Sequence, residues 1–301
     1  MAIYKLIPSL KDYLWGGTKL KAYRKTSLDL VAESWELSFH ESGYSFVTTS
    51  DGVLPINQVV SKEQMGENCS IFPMFPVLIK LIDAKDNLSV QVHPNDDYAL
   101  KHENSYGKTE MWYVISSEKG CGLYVGFKEN EDEQKVKEYL DNGTILEHLN
   151  FFEVKEGECY FIPSGTIHAI GKGVTIIEIQ QNSNLTYRLF DYNRVDKLGN
   201  KRELHIDKAL KVIDYKKYSK LSFEENLLGK CKYFASYKKY AKVDNKIFEK
   251  DSFVSVTFLE GEGKINSLPY KKFDSFFIPC KEDCIIEGEG AYILTKVEKY
   301  E

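Results

Sequence analysis

Short apolar runs separated by turn residues dominate the sequence. Residues 33–38 alternate polar and apolar positions, as a strand with one buried face does. A nearly continuous apolar run over 76–83 is bounded by a proline and a turn, and a second run over 88–93 is stopped by Pro94. This pattern is typical of a mainly β protein. Further strands are predicted at 111–115, 122–127, 151–154, 159–162 and 174–179.

Two segments depart from the strand pattern. Between residues 129 and 150, acids and lysines surround apolar residues at helical spacing. A second helix is predicted over 206–215. Both segments are small compared with the strand-rich remainder, so we expect helices to accompany a β architecture.

A weak internal repeat relates residues 154–163 to residues 270–279. Each has a polar turn, an aromatic residue and then Phe-Ile-Pro. We therefore predict two related β-barrels: residues 1–215 form the first barrel together with the helices, and residues 216–301 contribute a second, shorter one. No histidine follows Pro279, so we expect a metal in the first barrel only.

Composition and charge narrow the classes of function. The 301 residues are 43% hydrophobic, and 20 Tyr and 17 Phe favour strands over helices. A net charge of −5 does not suggest a nucleic-acid partner. The six cysteines are too scattered for a disulfide scaffold. The first residues lack the pattern of a signal peptide, and no apolar run could span a bilayer, so we expect a cytoplasmic protein.

Four polar residues in or beside predicted strands form a candidate metal site. Gln91 and His93 are two apart and point to the same face of one strand. Glu110 opens another strand, and His168 lies at a strand–turn–strand junction. Two imidazoles and a carboxylate are the protein ligands of an open catalytic zinc site. One histidine on a strand is more often a packed or surface residue, so the motifs around these two decide the matter.

Those motifs identify a resemblance. Residues 91–96 (QVHPND), 107–112 (GKTEMW) and 162–169 (IPSGTIHA) resemble type I mannose-6-phosphate isomerases. The match extends to 15–17 (WGG) and 183–188 (SNLTYR), and the chain looks like the short bacterial form. The resemblance implies a cupin-type (jelly-roll) fold with two β-barrels. It also implies one zinc ion per chain on Gln91, His93, Glu110 and His168.

The resemblance further implies roles for cationic and polar residues. The active-site arginine of the family corresponds to Arg188, a lysine to Lys108 and a strand glutamate to Glu178. Ser89 matches a residue of the substrate pocket. This sequence departs from longer members after Arg188, where Arg194 becomes the candidate for binding phosphate.

The implied reaction interconverts mannose 6-phosphate and fructose 6-phosphate through an enediolate. Glu178 is the first candidate for the base that moves the proton, and its alternative role is to position Lys108 or Arg188. The expected partner is a small phosphorylated sugar, without nucleic acid or membrane. Two other functions stay open: a cupin enzyme of another kind, such as an iron oxygenase, and a sugar-phosphate binder without activity.

Overall fold

The computed structural model describes residues 3–195, 198–224 and 226–299, and strands prevail throughout these ranges. The α-helices in these ranges are α1 Lys62–Met65, α2 Asp96–His102, α3 Glu133–Asp141, α4 Ile145–His148 and α5 Ile206–Leu210, and 3-10 turns lie at Leu20–Tyr23, Ile56–Gln58 and Glu67–Cys69. The strands are β1 Tyr4–Ile7, β2 Ser9–Lys11, β3 Glu33–Leu37, β4 Phe46–Thr49, β5 Gly52–Pro55, β6 Val77–Asp83, β7 Val90–Val92, β8 Glu110–Ser117, β9 Gly122–Phe127, β10 Leu149–Glu153, β11 Cys159–Ile162, β12 His168–Ile170, β13 Val174–Gln181, β14 Tyr187–Phe190, β15 Leu227–Lys230, β16 Ala235–Tyr240, β17 Lys246–Ile247, β18 Val254–Phe258, β19 Glu262–Ile265, β20 Leu268–Lys271, β21 Ser275–Ile278, β22 Cys284–Glu289 and β23 Ala291–Lys296.

Two antiparallel sheets build the first barrel. One has the strand order β11-β8-β13-β6-β3-β2 and the other β10-β9-β12-β7-β14. Trp112 and Ile176 of the first sheet pack with Leu123 and Val125 of the second in one buried cluster. The apolar faces that alternate along these strands therefore close on each other, as they do in a sandwich-like barrel.

The second barrel combines sheets of eight and four strands, in the orders β15-β16-β23-β18-β21-β1-β4-β5 and β17-β22-β19-β20. Phe258 and Phe276 of the larger sheet pack with Ile265 and Ile286 of the smaller one. The larger sheet also takes in β1, β4 and β5 from the start of the chain, where β1 pairs with β21. The division of the chain at residue 215 stays a prediction.

Aromatic rings fill the space between the two barrels. Phe277 of β21 is fully buried and stacks on Phe253 with ring centroids 5.1 Å apart. Phe75, which precedes β6, contacts both rings at 4.9 and 6.4 Å. These rings belong to one cluster that also contains Leu81 of the first barrel. Burial of this apolar surface holds the two barrels together.

Helices α3, α4 and α5 pack together on one side of the first barrel. The Asp132 side chain caps α3 by accepting a hydrogen bond from Lys135 N, and Val136 points into the core. Helix α5 is shorter than predicted, because the chain turns after Leu210. Asp214 N then donates to Gly165 O at 2.8 Å, which ties this turn to the loop before β12.

Two further observations concern the cysteines and the search for a membrane-spanning helix. All six cysteines are free thiols. In the described ranges, no helix has the length and apolar character required to cross a membrane.

Candidate active site

A buried cluster of one carboxylate and two imidazoles lies inside the first barrel. His93 follows β7, Glu110 begins β8 and His168 begins β12, and their ligand atoms lie within 4.8 Å of one another. Glu110 Oε2 is 3.5 Å from His93 Nε2, and Oε1 is 3.4 Å from His168 Nε2. All three side chains are at most 1% exposed. Strands from both sheets therefore bring these groups together, as the sequence motifs predict.

Backbone carbonyls orient both imidazoles. Nδ1 of His93 donates to Leu185 O, and Nδ1 of His168 donates to Thr166 O, each at 2.8 Å. With the proton on Nδ1, each Nε2 presents its lone pair to the cluster. Burial lowers the pKa of His93 well below its usual range and that of His168 to about 4. Both rings are therefore neutral at physiological pH.

Gln91 lies at the edge of the cluster. Its backbone pairs directly with that of His168 across β7 and β12, and its amide Nε2 is 3.3 Å from His168 Nε2. A half-turn of the amide exchanges the two terminal atoms and directs Oε1 to the imidazole side. Gln91 is therefore placed to add a neutral oxygen to the cluster.

The turn before Glu110 is fixed by close backbone contacts. Gly107 N donates to Asp96 Oδ1 at 2.8 Å, and Lys108 N donates to Pro94 O at 3.0 Å. A Cβ atom on Gly107 would lie 2.5 Å from the carbonyl carbon of Asn95, so only glycine allows this approach. The turn directs Lys108 inward, where Nζ lies 3.2 Å from His93 Nε2 and 3.1 Å from Glu110 Oε2.

A continuous chain of buried charges leads away from the cluster, and we call it the buried charge network. Lys108 Nζ is 3.9 Å from Glu178 Oε1, and Lys80 Nζ is 3.4 Å from the same oxygen and 3.7 Å from Glu33 Oε2. Glu178 Oε2 also accepts a hydrogen bond from the Trp112 indole at 3.0 Å. From one contact to the next, the network consists of Glu33, Lys80, Glu178, Lys108 and Glu110.

The pKa shifts of Glu110, within the cluster, and of Glu178, beside it, have opposite directions. Burial, reinforced by the charge of Glu178, raises the pKa of Glu110 to about 7. Burial alone would also raise the pKa of Glu178, but Lys108 and Lys80 outweigh it and lower that pKa. Glu178 is therefore the more readily ionised of the two.

The cluster meets the requirements of a divalent metal. The Glu110 carboxylate is fully buried, and in the described ranges only its Oε2 has a cation nearby, the Lys108 ammonium at 3.1 Å. Its Oε1 accepts no hydrogen bond from the described residues, so a second cation on the imidazole side would lower the cost of burying this charge. Ligands about 2.1 Å from a tetrahedral metal lie about 3.4 Å apart, and the two nitrogen–oxygen separations in the cluster match this spacing. The donor set of imidazole nitrogens and carboxylate oxygen, without thiolate, suits a zinc ion that keeps a position open for substrate.

A cavity of about 330 Å³ opens beside the cluster. Gln91, Lys108 and Glu178 form part of its wall, so the cluster lies directly behind that wall. Arg188 of β14 is opposite Gln91 in the paired strands, and its Nε donates to Ser89 Oγ at 3.2 Å. Ser89 and Arg188 line the same cavity. Of the predicted site residues, the cavity is lined by Ser89, Gln91, Lys108, Glu178 and Arg188.

Arg194 lies outside the cavity that adjoins the cluster. It lines an adjoining cavity of about 250 Å³ with Tyr13 and Trp15, and it is absent from the wall of the cavity beside the cluster. Its Nη1 donates to the carbonyl oxygen of Asn87, and its Nη2 contacts Asp191.

Several residues of the cavity wall escaped the sequence analysis. Glu33, Lys80, Tyr13 and Arg202 all line it. Lys80 carried a usable signal, because it is the one ammonium group within the apolar run of β6. Arg202 follows a loop without periodic pattern, and only the folded chain brings it to the site.

A larger cleft of about 770 Å³ lies elsewhere. Its wall includes Phe39, Phe72 and Phe75 but none of the predicted site residues. We assign the chemistry to the smaller cavity, because the buried ion pairs of Lys80, Lys108 and Glu178 line it and the imidazole–carboxylate cluster lies behind its wall.

Comparison with known proteins gives a consistent result. A family model described as phosphomannose isomerase type I, catalytic domain, matches residues 3–120. The chain is 35% identical over 292 residues to mannose-6-phosphate isomerase ManA of Bacillus subtilis, covering 90% of this chain and 91% of that protein.

Solved structures agree in fold. The crystal structure of the mannose 6-phosphate isomerase from Bacillus subtilis matches with a TM-score of 0.88 and 29% identity, covering 98% of this chain and 99% of that one. A zinc-bound mannose 6-phosphate isomerase matches with a TM-score of 0.77 and 18% identity over 99% and 100% of the two chains. The predicted mainly β, cupin-type fold is confirmed.

Proposed function

The chain belongs to the type I phosphomannose isomerase family, and on this premise we propose that it interconverts mannose 6-phosphate and fructose 6-phosphate with one bound zinc ion. One observation carries the proposal: the buried imidazole–carboxylate cluster lies next to a cavity whose wall includes Lys108 and Arg188. The fit of the cluster to zinc and the zinc-bound relative of the same fold support the choice of metal.

We propose His93, Glu110 and His168 as zinc ligands, with Gln91 as a fourth. Zinc bound there supplies Lewis acidity that stabilises negative charge on the substrate oxygens. The carbonyl contacts of the two imidazoles keep the Nε2 lone pairs directed at the ion. Burial excludes water from this end of the cavity, which strengthens every electrostatic interaction within it.

The proposed proton transfers use groups next to the cluster. The lowered pKa of Glu178 keeps its carboxylate ionised, so Glu178 can accept the proton that leaves carbon. Lys108 Nζ lies between Glu110 and Glu178 and can donate a proton to a substrate oxygen. The Arg188 guanidinium stays charged and stabilises the enediolate or the bound substrate. Ser89 positions Arg188 through the hydrogen bond to Nε.

A coupled assay that follows fructose 6-phosphate formed from mannose 6-phosphate tests the proposal. We expect activity that a chelator abolishes and zinc restores. Activity that persists after complete removal of metal would exclude the proposed role of zinc. Tightly bound iron without isomerase activity would favour an oxygenase, and substrate binding without turnover in the zinc-loaded protein would favour a binder.

Two variants separate the proposed ligands from the proposed base. Glu110→Gln removes the charged ligand, so we expect loss of zinc as well as activity. Glu178→Gln keeps the ligands, so we expect zinc to be retained and turnover lost. Exchange of the transferred hydrogen with deuterated water should disappear in Glu178→Gln; exchange at the rate of the parent chain would leave Glu178 a positioning role only.

A further inference from the structure

Two arginines contact one carboxylate at the mouth of the active-site cavity, and a third arginine lines that cavity. The Asp191 side chain is 6% exposed, and both Arg194 and Arg202 contact its Oδ1. Arg202 Nε also donates to Asp191 Oδ2 at 2.8 Å, so Arg202 grips the carboxylate with two nitrogen atoms. Such a fork fixes the plane of a guanidinium group. Arg188 lines the same cavity as Arg202.

Both terminal nitrogens of Arg194 are engaged by the protein, and its Nε is buried without an acceptor in the described part of the chain. Nη1 donates to Asn87 O at 2.5 Å, and Nη2 contacts Asp191. The guanidinium also lies over the ring of Tyr192, 5.4 Å from its centroid. This arginine fastens the loop that follows β14 to the loop before β7, and it is turned away from the active-site cavity.

Arg188 and Arg202 keep donors in reserve, and we call them the guanidinium pair. Arg188 donates through Nε to Ser89 and through Nη1 to Glu203 O, which leaves Nη2 without an acceptor in the described part of the chain. Arg202 uses Nε and Nη2 on Asp191, and its Nη1 has no acceptor among the same residues. The Arg202 side chain is 33% exposed, so this donor can be reached from the cavity.

The guanidinium pair and the buried cluster occupy different parts of one cavity. Lys108 forms the wall on the cluster side, while Arg202 also lines the adjoining outer cavity. Tyr13 lines both cavities. Burial raises the pKa of its phenol to about 12, and the positive charges of Arg202 and Lys108 partly oppose this rise. A hexose 6-phosphate also has two different ends, because its reacting carbons are at one end and its phosphate is at the other. These ends match the cluster side and the arginine side of the cavity.

We propose that Arg202, together with Arg188, binds the 6-phosphate of the sugar and that Arg202 gives the site its preference for phosphorylated over unphosphorylated sugar. This inference rests on the proposed function. Asp191 holds the Arg202 fork in place from behind, and the phosphate dianion accepts hydrogen bonds from the two terminal nitrogens that the protein leaves without acceptors. Arg202 thereby takes the role for which Arg194 was the candidate from the sequence.

Steady-state kinetics of the zinc-loaded full chain test the assignment. In Arg202→Ala the KM for mannose 6-phosphate should rise about tenfold to hundredfold, the value of a lost charge-assisted hydrogen bond, while kcat stays within about twofold. Inhibition by inorganic phosphate should weaken by a similar factor. The kcat/KM for unphosphorylated mannose should not change, because that sugar makes no contact with Arg202. Asp191 keeps Arg194 as a partner, so the loop stays folded.

Two variants act as matched comparisons. Lys201→Ala removes the same charge one position away, where Nζ is 3.0 Å from Asn193 Oδ1 and lines neither cavity, so KM should stay within about twofold. Arg202→Lys keeps the charge without the fork and should recover part of the lost affinity.

Three results would overturn the assignment. The first is a KM for mannose 6-phosphate that Arg202→Ala leaves unchanged. The second is an equal loss for phosphorylated and unphosphorylated sugar. The third is a rise in KM in Arg194→Ala instead. If the parent chain proves unable to isomerise mannose 6-phosphate, the proposed function fails by itself. Calorimetric titration with inorganic phosphate then still tests Arg202, and equal affinities of the parent chain and Arg202→Ala would refute its role.

Discussion

Lys80 is a buried ammonium group whose removal tests the buried charge network. Its side chain is 4% exposed, and Nζ lies 3.7 Å from Glu33 Oε2 and 3.4 Å from Glu178 Oε1. Burial lowers the pKa of Lys80, but Glu33 and Glu178 outweigh it and raise the pKa, so the amine is a cation. Lys80→Met keeps an unbranched side chain of similar length in β6. It leaves two buried carboxylates without the cation that they share.

The expected cost follows from the partners that remain. Removal of one member of a buried ion pair costs about 3–5 kcal/mol, because the other charge stays buried without compensation. Here Glu178 keeps Lys108 and the Trp112 indole, and Glu33 keeps the Trp35 indole at 2.6 Å. These contacts place the loss at the lower end, so we expect the free energy of unfolding to fall by about 3 kcal/mol.

Urea unfolding of the metal-free chain, followed by tryptophan fluorescence, measures this loss. Lys11→Met is the matched control. Lys11 Nζ lies over the Trp35 ring at 4.7 Å, as Lys80 Nζ does at 5.0 Å, but Lys11 donates only to the carbonyl oxygen of Ser42 at the surface. We expect Lys11→Met to cost less than about 1 kcal/mol. Equal losses in the two variants, or a loss below about 1 kcal/mol in Lys80→Met, would refute the network as a source of stability.

Three further predictions concern other parts of the molecule. Phe277→Ala empties the space between the barrels and should lower the free energy of unfolding by about 3–5 kcal/mol in the same urea assay. Glu298 has its pKa lowered to about 2, because two lysines and a tyrosine outweigh the effect of burial. It therefore stabilises the fold above its unfolded pKa, and this contribution is lost as the pH falls towards the folded value. Glu298→Gln should lower the thermal midpoint at about pH 7 and narrow its difference from the parent in acid. Gly107→Ala forces a Cβ atom against the backbone of Asn95, and it should weaken zinc affinity about tenfold or more in a competition assay with a chelator.

The sequence predicted the strands of the first barrel well, because their side chains alternate or form unbroken apolar runs. Strand β9 coincides with the predicted range 122–127, and β6 and β13 differ by only one or two residues at an end. The sequence motifs, unlike periodicity, also predicted that His93, Glu110 and His168 lie close together. Periodicity places each residue on a strand and does not say which strands are neighbours.

Sheet order explains what the sequence could not supply. Lys80 meets Glu33 and Glu178 because β6 lies between β3 and β13, and these strands are far apart in sequence. The pairing of β1 with β21 joins the beginning of the chain to its last third. Arg202 lies outside the strands and helices, so only its tertiary contacts place it at the site. In each case the contact partner is set by packing across the whole fold, which no local pattern encodes.

The distribution of charge gives the cavity its chemical direction. Three carboxyl groups and two ammonium groups form the buried charge network, so the network has one negative charge in excess when all three carboxyls are ionised. At the mouth, Asp191 is paired with Arg194 and Arg202, and the guanidinium pair keeps one terminal nitrogen each, Arg188 Nη2 and Arg202 Nη1, without an acceptor in the described part of the chain. A cation completes the deep end, and an anion completes the mouth. A divalent metal and a phosphorylated sugar together satisfy both requirements, whereas an unphosphorylated sugar leaves the guanidinium donors without acceptors. The same charge arrangement therefore supports both the proposed zinc site and the proposed preference for a phosphorylated sugar.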